Sequence, residues 1–306
     1  MGTTTFQGPV KTGPVISGAT SGGYRGKDLT DTNWVTNSLA RYFQEPTAAD
    51  TDGICATQTT SAAANLTLNG ALCATVNGNS IYAPALGSAV STTADGAWAR
   101  KIGITSDAND SGITFTVTGT DVDGKALSET ITGPNSGTVY TTNSTAANFK
   151  SVTKIATSGA TTGNITVGTA AVAGDVYCRA LGTIPYQSTI TGIKVWVGEA
   201  FNAGTADPME IGKSDDPDYL ADIATGVMRA VTTTGNTGGA VTVDATQTAT
   251  WKSVFQAETG SDGVSYNSDV QAVLTYTPTG ALSTAGQAWI KIDFMQGKNL
   301  ASGDTW

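Results

Sequence analysis

The sequence predicts an all-β protein: two β-sandwich or jelly-roll-like domains preceded by an extended N-terminal arm and one short helix. Three observations carry that expectation. Thr supplies about one residue in six and Gly 37 of the 306 residues, so a strand former and a turn former dominate together. From residue 53 onward, short runs of alternating apolar and polar residues recur. Clusters of Gly, Asn, Asp, Pro and Ser separate those runs at the spacing of antiparallel sheets.

In residues 1–30, Phe6, Val10, Val15, Ile16 and Tyr24 are scattered among Gly and Pro, too sparsely to bury a core. This segment reads as an extended arm. Its charges Lys11, Arg25 and Lys27 precede any carboxylate before Asp28, so a basic leader meets an acidic body. An anchoring segment and a leader without a role both fit that asymmetry. Residues 31–52 predict a short helix and a linker. Val35, Leu39, Tyr42 and Phe43 fall at i, i+4, i+7 and i+8, Asp31 or Thr32 can cap the start, and Pro46 stops it. With Trp34 beside that stripe, the helix needs a partner, either the first β domain or another subunit.

Residues 53–173 form the first predicted β domain. Ile113, Phe115 and Val117 alternate with Thr114, Thr116 and Thr118, the pattern of a strand with one buried face. Further strands are expected over 65–72, 98–105, 127–132, 138–142, 149–157 and 164–169, joined by turns at 109–112, 121–124 and 133–137. Residues 174–306, with a short tail, form the second. Ile193, Val195 and Val197 alternate with Lys194 and Trp196; Ala288, Ile290, Ile292 and Phe294 alternate with Trp289, Lys291 and Asp293. Between them strands are expected over 208–212, 219–223, 227–232, 240–245, 250–255 and 270–277.

Composition removes several kinds of chemistry. The chain has no His, which excludes Ser-His-Asp and Cys-His nucleophile systems and His-ligated zinc. A formal charge of −9 with only 16 Lys and Arg opposes binding to nucleic acid. No run of apolar residues is long enough to span a bilayer, and the N-terminus lacks the features of a secretory leader. Neither nucleic acid nor membrane is expected as a partner. Cys55, Cys73 and Cys178 are an odd number at wide spacing and read as buried free thiols.

Candidate sites are few. Asp215, Asp216 and Asp218 gather three carboxylates that a hard cation could use, although an Asp-Pro turn explains them as well. Asp121-Val122-Asp123-Gly124 opens like a calcium loop, but the later ligand positions hold Lys125, Leu127 and Glu129, which favours a hairpin turn. Residues 232–239 are Gly-rich without the strand, helix or Lys of a phosphate loop and read as a surface loop. A glycosidase needs only two carboxylates, yet no pair stands out among the 25 acidic residues. Trp196 and Trp289 take the parity opposite the aliphatic residues of their strands, and so suit a surface-recognition platform or, equally, a subunit interface.

The segments AANLTLNGAL (63–72), SGITFTVTGTDVDGKALSETITGPNSGTVYTT (111–142) and FKSVTKIATSGATTGNITVGT (149–169) together resemble a β module of tailed-bacteriophage virion structural proteins. The segment IPYQSTITGIKVWVGEAFNAGTADPMEIGKSDDPDYLADI (184–223) is similar to a second phage module. The opening TTFQGPVKTGPVISG (4–18) resembles the first residues of capsid-associated and fibre proteins. The resemblance implies a capsid decoration (cement) protein made in the host cytoplasm and held on the capsid exterior. Its partners would be the major capsid protein and itself, as a homotrimer, with no enzyme activity and no cofactor. Phe6, Lys11, Arg25, Lys27, Trp34, Leu39 and Phe43 are the expected capsid- or subunit-binding residues. The alternative is a head or tail fibre that recognises host surface sugars.

Overall fold

The computed structural model describes residues 34–46, 50–68, 98–169, 174–185, 188–231, 239–240 and 269–297. These form strands in four antiparallel sheets, with one single-turn helix among the described residues. The expected all-β class is observed.

Two sheets belong to the middle of the chain. The first pairs β2 (Asp50–Gln58), β8 (Ile165–Thr169), β3 (Ile102–Asn109) and β6 (Asn135–Tyr140) in that order, and the second pairs β5 (Ala126–Thr132), β4 (Thr114–Thr120) and β7 (Ser151–Thr157). β4 shows why: Phe115 and Val117 are buried while Thr114, Thr116 and Thr118 face outward, the alternation its sequence carries. Ile54, Ile102, Ile104, Phe115, Val117, Val152, Ile155 and Val167 join in one apolar cluster to which both sheets contribute. Burying such side chains is the main favourable term in forming this half.

The other two sheets combine both ends of the described chain. One runs β1 (Trp34–Gln44), β15 (Gln287–Gly297), β10 (Ser188–Glu199), β13 (Gly239–Ala240); the other runs β12 (Ala221–Ile223), β11 (Met209–Gly212), β14 (Val270–Tyr276), β9 (Tyr177–Ile184). A second cluster, rich in aromatic rings, unites them: Phe43, Trp98, Tyr177, Phe201 and Tyr276 lie among the Ile, Val and Leu of the strands. The two halves are stitched where Ala99 and Cys178 exchange main-chain hydrogen bonds at 2.7 and 3.0 Å. Ala99, Val122, Cys178 and Val273 form a small apolar cluster at that junction.

Several expectations are corrected. The helix expected over 31–45 is not formed among its described residues: 34–44 are β1, antiparallel to β15 along its full length from Trp34↔Gly297 to Gln44↔Gln287. The helical spacing was real but tertiary pairing overrode it, because Phe43 turns into the core while Tyr42 stands on the opposite face. The predicted strand over 227–232 is replaced by the single-turn helix α1 (Thr225–Met228) and a turn, a geometry that drives Met228 into the core and directs Arg229 onto the buried carboxylate of Asp207 at 2.6 Å. Within 65–72 the described part carries only an isolated bridge, Asn65↔Ala156. β2 and β9 were not anticipated. The predicted strand over 250–255 and Cys73 lie outside the described residues, as do 241–245 of the strand predicted over 240–245.

Candidate contact surface

The outer face of the β1–β15–β10 sheet carries the feature the sequence pointed to. Along β15, Ala288, Ile290 and Ile292 are fully or almost fully buried, which leaves Trp289 and Lys291 on the other side by simple alternation. β10 does the same, with Ile193, Val195 and Val197 inward and Lys194 outward. Register then aligns the aromatics: Tyr42 lies opposite Trp289, and Trp289 opposite Trp196, across three adjacent strands. Trp289 is 43% and Tyr42 37% exposed, while Trp196 is half-buried.

Tyr42 and Trp289 make a tilted ring pair with centroids 4.8 Å apart. Gly198 makes room for the indole: a Cβ there would stand 2.8 Å from Trp289 Cζ3. Partial burial, together with the carboxylates of Glu45 and Glu199, holds the Tyr42 hydroxyl above its ordinary value. On the other side of the row Lys194 lies opposite Lys291, and Lys291 pairs with Asp293 at 2.7 Å. Two lysines directly opposed on neighbouring strands repel, and the Asp293 carboxylate offsets that repulsion at Lys291. The resulting surface is an aromatic row flanked by ionic groups, Lys194, Lys291 and Asp293 on one side and Glu45 and Glu199 near Tyr42.

The remaining sequence-predicted residues fare differently. Phe6, Lys11, Arg25 and Lys27 lie outside the described residues. Trp34 opens β1 opposite Gly297. Phe43 is fully buried, edge-on to Trp98 at 6.1 Å and tilted against Phe201 at 5.9 Å, so its expected role as a capsid or subunit contact is corrected to an internal one. Leu39 packs partly buried against the same core, close over Gly182. Of the apolar stripe, Phe43 is taken into the core and Leu39 packs partly against it, while Tyr42 stands outward.

Asp215, Asp216 and Asp218 form a turn. Lys213 N–H donates to the Asp216 carbonyl at 2.8 Å, and the buried Lys213 ammonium lies 3.9 Å from Asp215 and 4.2 Å over the Tyr219 ring. The 121–124 turn meets this loop directly: Asp123 accepts from Ser214 Oγ at 2.7 Å and from Lys125 Nζ at 3.1 Å. Asp121 Oδ1 accepts the N–H groups of Asp123 and Lys125, and Gly124 supplies the positive φ of 79° that closes the turn between β4 and β5. Lysine and hydroxyl protons meet the carboxylates of Asp123 and Asp215. Among the described residues no three His, Cys, Asp or Glu side chains converge to hold a metal ion, and no helix is long and apolar enough to cross a membrane. Cys55 and Cys178 are free and buried.

Sequence reasoning missed Tyr42, which it had placed on a helix. Comparison with models of known families, with curated proteins and with solved structures finds no match to this chain.

Proposed function

We propose that this chain is a bacteriophage capsid decoration protein, acting by contact with the head exterior and with its own copies, and that its two halves are β-sandwiches, the second of jelly-roll type. The resemblance in residues 63–72, 111–142, 149–169 and 184–223 supports the source. The observation that carries a contact role is the row Tyr42–Trp289–Trp196, large aromatic surface held outward on a rigid three-stranded platform. In this reading the arm 1–30 fastens the protein to the major capsid protein, and trimer formation multiplies each weak contact. The host cytoplasm is where the chain is made and the capsid exterior where it works.

A second reading, a fibre that recognises host surface sugars, draws on the same row, since tilted indole and phenol faces flanked by ionic groups suit pyranose rings. Imaging of the intact virion separates the two: many copies over the head support decoration, a few at the tail support the fibre, and a virion without the protein overturns both. Trp289→Ala should abolish rebinding to particles stripped of the protein, while the protein still folds with a lowered melting temperature, because the ring is 43% exposed and rests on Tyr42 outside the core. Rebinding at wild-type affinity would remove the row from the contact.

A further inference from the structure

Three polar side chains meet beside the junction of the two halves. Lys101 stands just before β3, Asn143 shortly after β6 and Asp175 just before β9. Lys101 Nζ lies 2.6 Å from Asp175 Oδ1, and Asn143 Nδ2 donates to that same oxygen at 3.3 Å. The amide's other end is held too: Val176 N–H donates to Asn143 Oδ1 at 3.1 Å. The Lys101 ammonium sits 4.4 Å over the Tyr140 ring, and the Lys101 and Asp175 side chains retain only 11% and 7% exposure.

We propose that the folded chain joins Lys101 to Asn143 through an isopeptide bond that it forms itself, with Asp175 as the proton carrier. This proposal is independent of the virion reading. Asp175 takes a proton from the Lys101 ammonium, and the neutral amine attacks Asn143 Cγ to form the Nζ–Cγ bond. Negative charge gathering on Oδ1 meets the Val176 N–H, which already points at that atom. A second proton passes from Nζ to Nδ2 as the Cγ–Nδ2 bond breaks, so the nitrogen leaves as ammonia, then collects the proton held by Asp175 and departs as ammonium. One ammonium and one carboxamide become one secondary amide and one free ammonium ion; nothing is oxidised or reduced, and the carboxylate is regenerated. Two reactants held on one oxygen gain the advantage of proximity, and low water access favours the proton transfers. The product would tie the entry of β3 to the exit of β6, strands already paired at Gly103↔Tyr140.

The test is the intact mass of the full-length protein. The wild type should be lighter than its sequence mass by one ammonia molecule, and a tryptic digest should yield a branched peptide linking Lys101 to Asn143. Lys101→Arg, which keeps the charge, and Asn143→Ala should each restore the full mass. A wild type at full sequence mass overturns the proposal, as does a loss that persists in Lys101→Arg, since that would place the lost ammonia at another asparagine. Should the variants fail to fold, the branched peptide decides: its absence from the wild-type digest overturns the bond.

Discussion

The two halves use the same antiparallel strands for different ends. In the middle half, outward threonines pair across strands, Thr116 with Thr130 and Thr105 with Thr138 at 2.8 Å, and the core is mostly aliphatic. In the other half the core is knitted by rings, with Phe43–Trp98 and Trp98–Tyr276 centroids 6.1 Å apart and Phe201–Tyr276 at 5.7 Å, and aromatics also stand on the outer face. The middle half is contiguous in sequence; the other closes only when β1 finds β15 from the far end of the chain. The outer strands of one half present hydroxyl pairs to water, whereas those of the other hold large aromatic area outward.

The largest effect should come from Phe43→Ala. It removes a fully buried ring that also holds β1 to the core, and a cost of about 3–5 kcal/mol is expected, read as a lowered urea midpoint with loss of near-ultraviolet ring signal. Survival of the aromatic signal would show that β1 is dispensable and the comparison drawn too sharply. Asp207→Ala comes next. Its fully buried carboxylate accepts from Arg229 Nε and Tyr276 Oη, both at 2.6 Å, and from Ala203 N–H. Because Arg229 stays about a third exposed, stranding these donors should cost about 2–3 kcal/mol in thermal unfolding, less than a fully buried pair.

Alkali should act at the core and the junction. Burial pushes the thiols of Cys55 and Cys178 from 9.0, and the Tyr177 hydroxyl from 10.0, up to about 12. With folded values raised, the unfolded chain releases these protons first, so stability is complete below pH 9.0 and drains away as pH rises to about 12. A denaturation midpoint flat across that window would contradict the buried assignment of these groups. Native protein should also resist thiol alkylation at Cys55 and Cys178 near pH 8. The smallest effect belongs to the threonine face: Thr116→Val forfeits one hydroxyl pair on a partly exposed strand, about 0.2–1 kcal/mol in a denaturant titration.

Legibility in the sequence followed how local the deciding force was. β4 and β15 were readable because one buried face imposes strict alternation on consecutive residues. The parity of Trp289 came with it. β1 was misread because Leu39, Arg41 and Tyr42 are acceptable in a helix, and only β15, remote in sequence, supplies the partner that makes a strand preferable. β2 escaped notice since its buried residues, Gly53, Ile54 and Cys55, are consecutive and do not alternate. Lys101, Asn143 and Asp175 share no motif; three separate loops bring them together.

Composition and alternation alone determined that this chain would build antiparallel sheets, leave threonine outside and lack histidine chemistry, since each is a property of neighbouring residues or of their count. Tertiary structure decided which strands became partners, and through register it set Tyr42 beside Trp289 and turned Phe43 from a contact residue into a core residue. Pairing energy between remote strands depends on which faces can be buried together, a quantity that exists only once the chain has closed on itself.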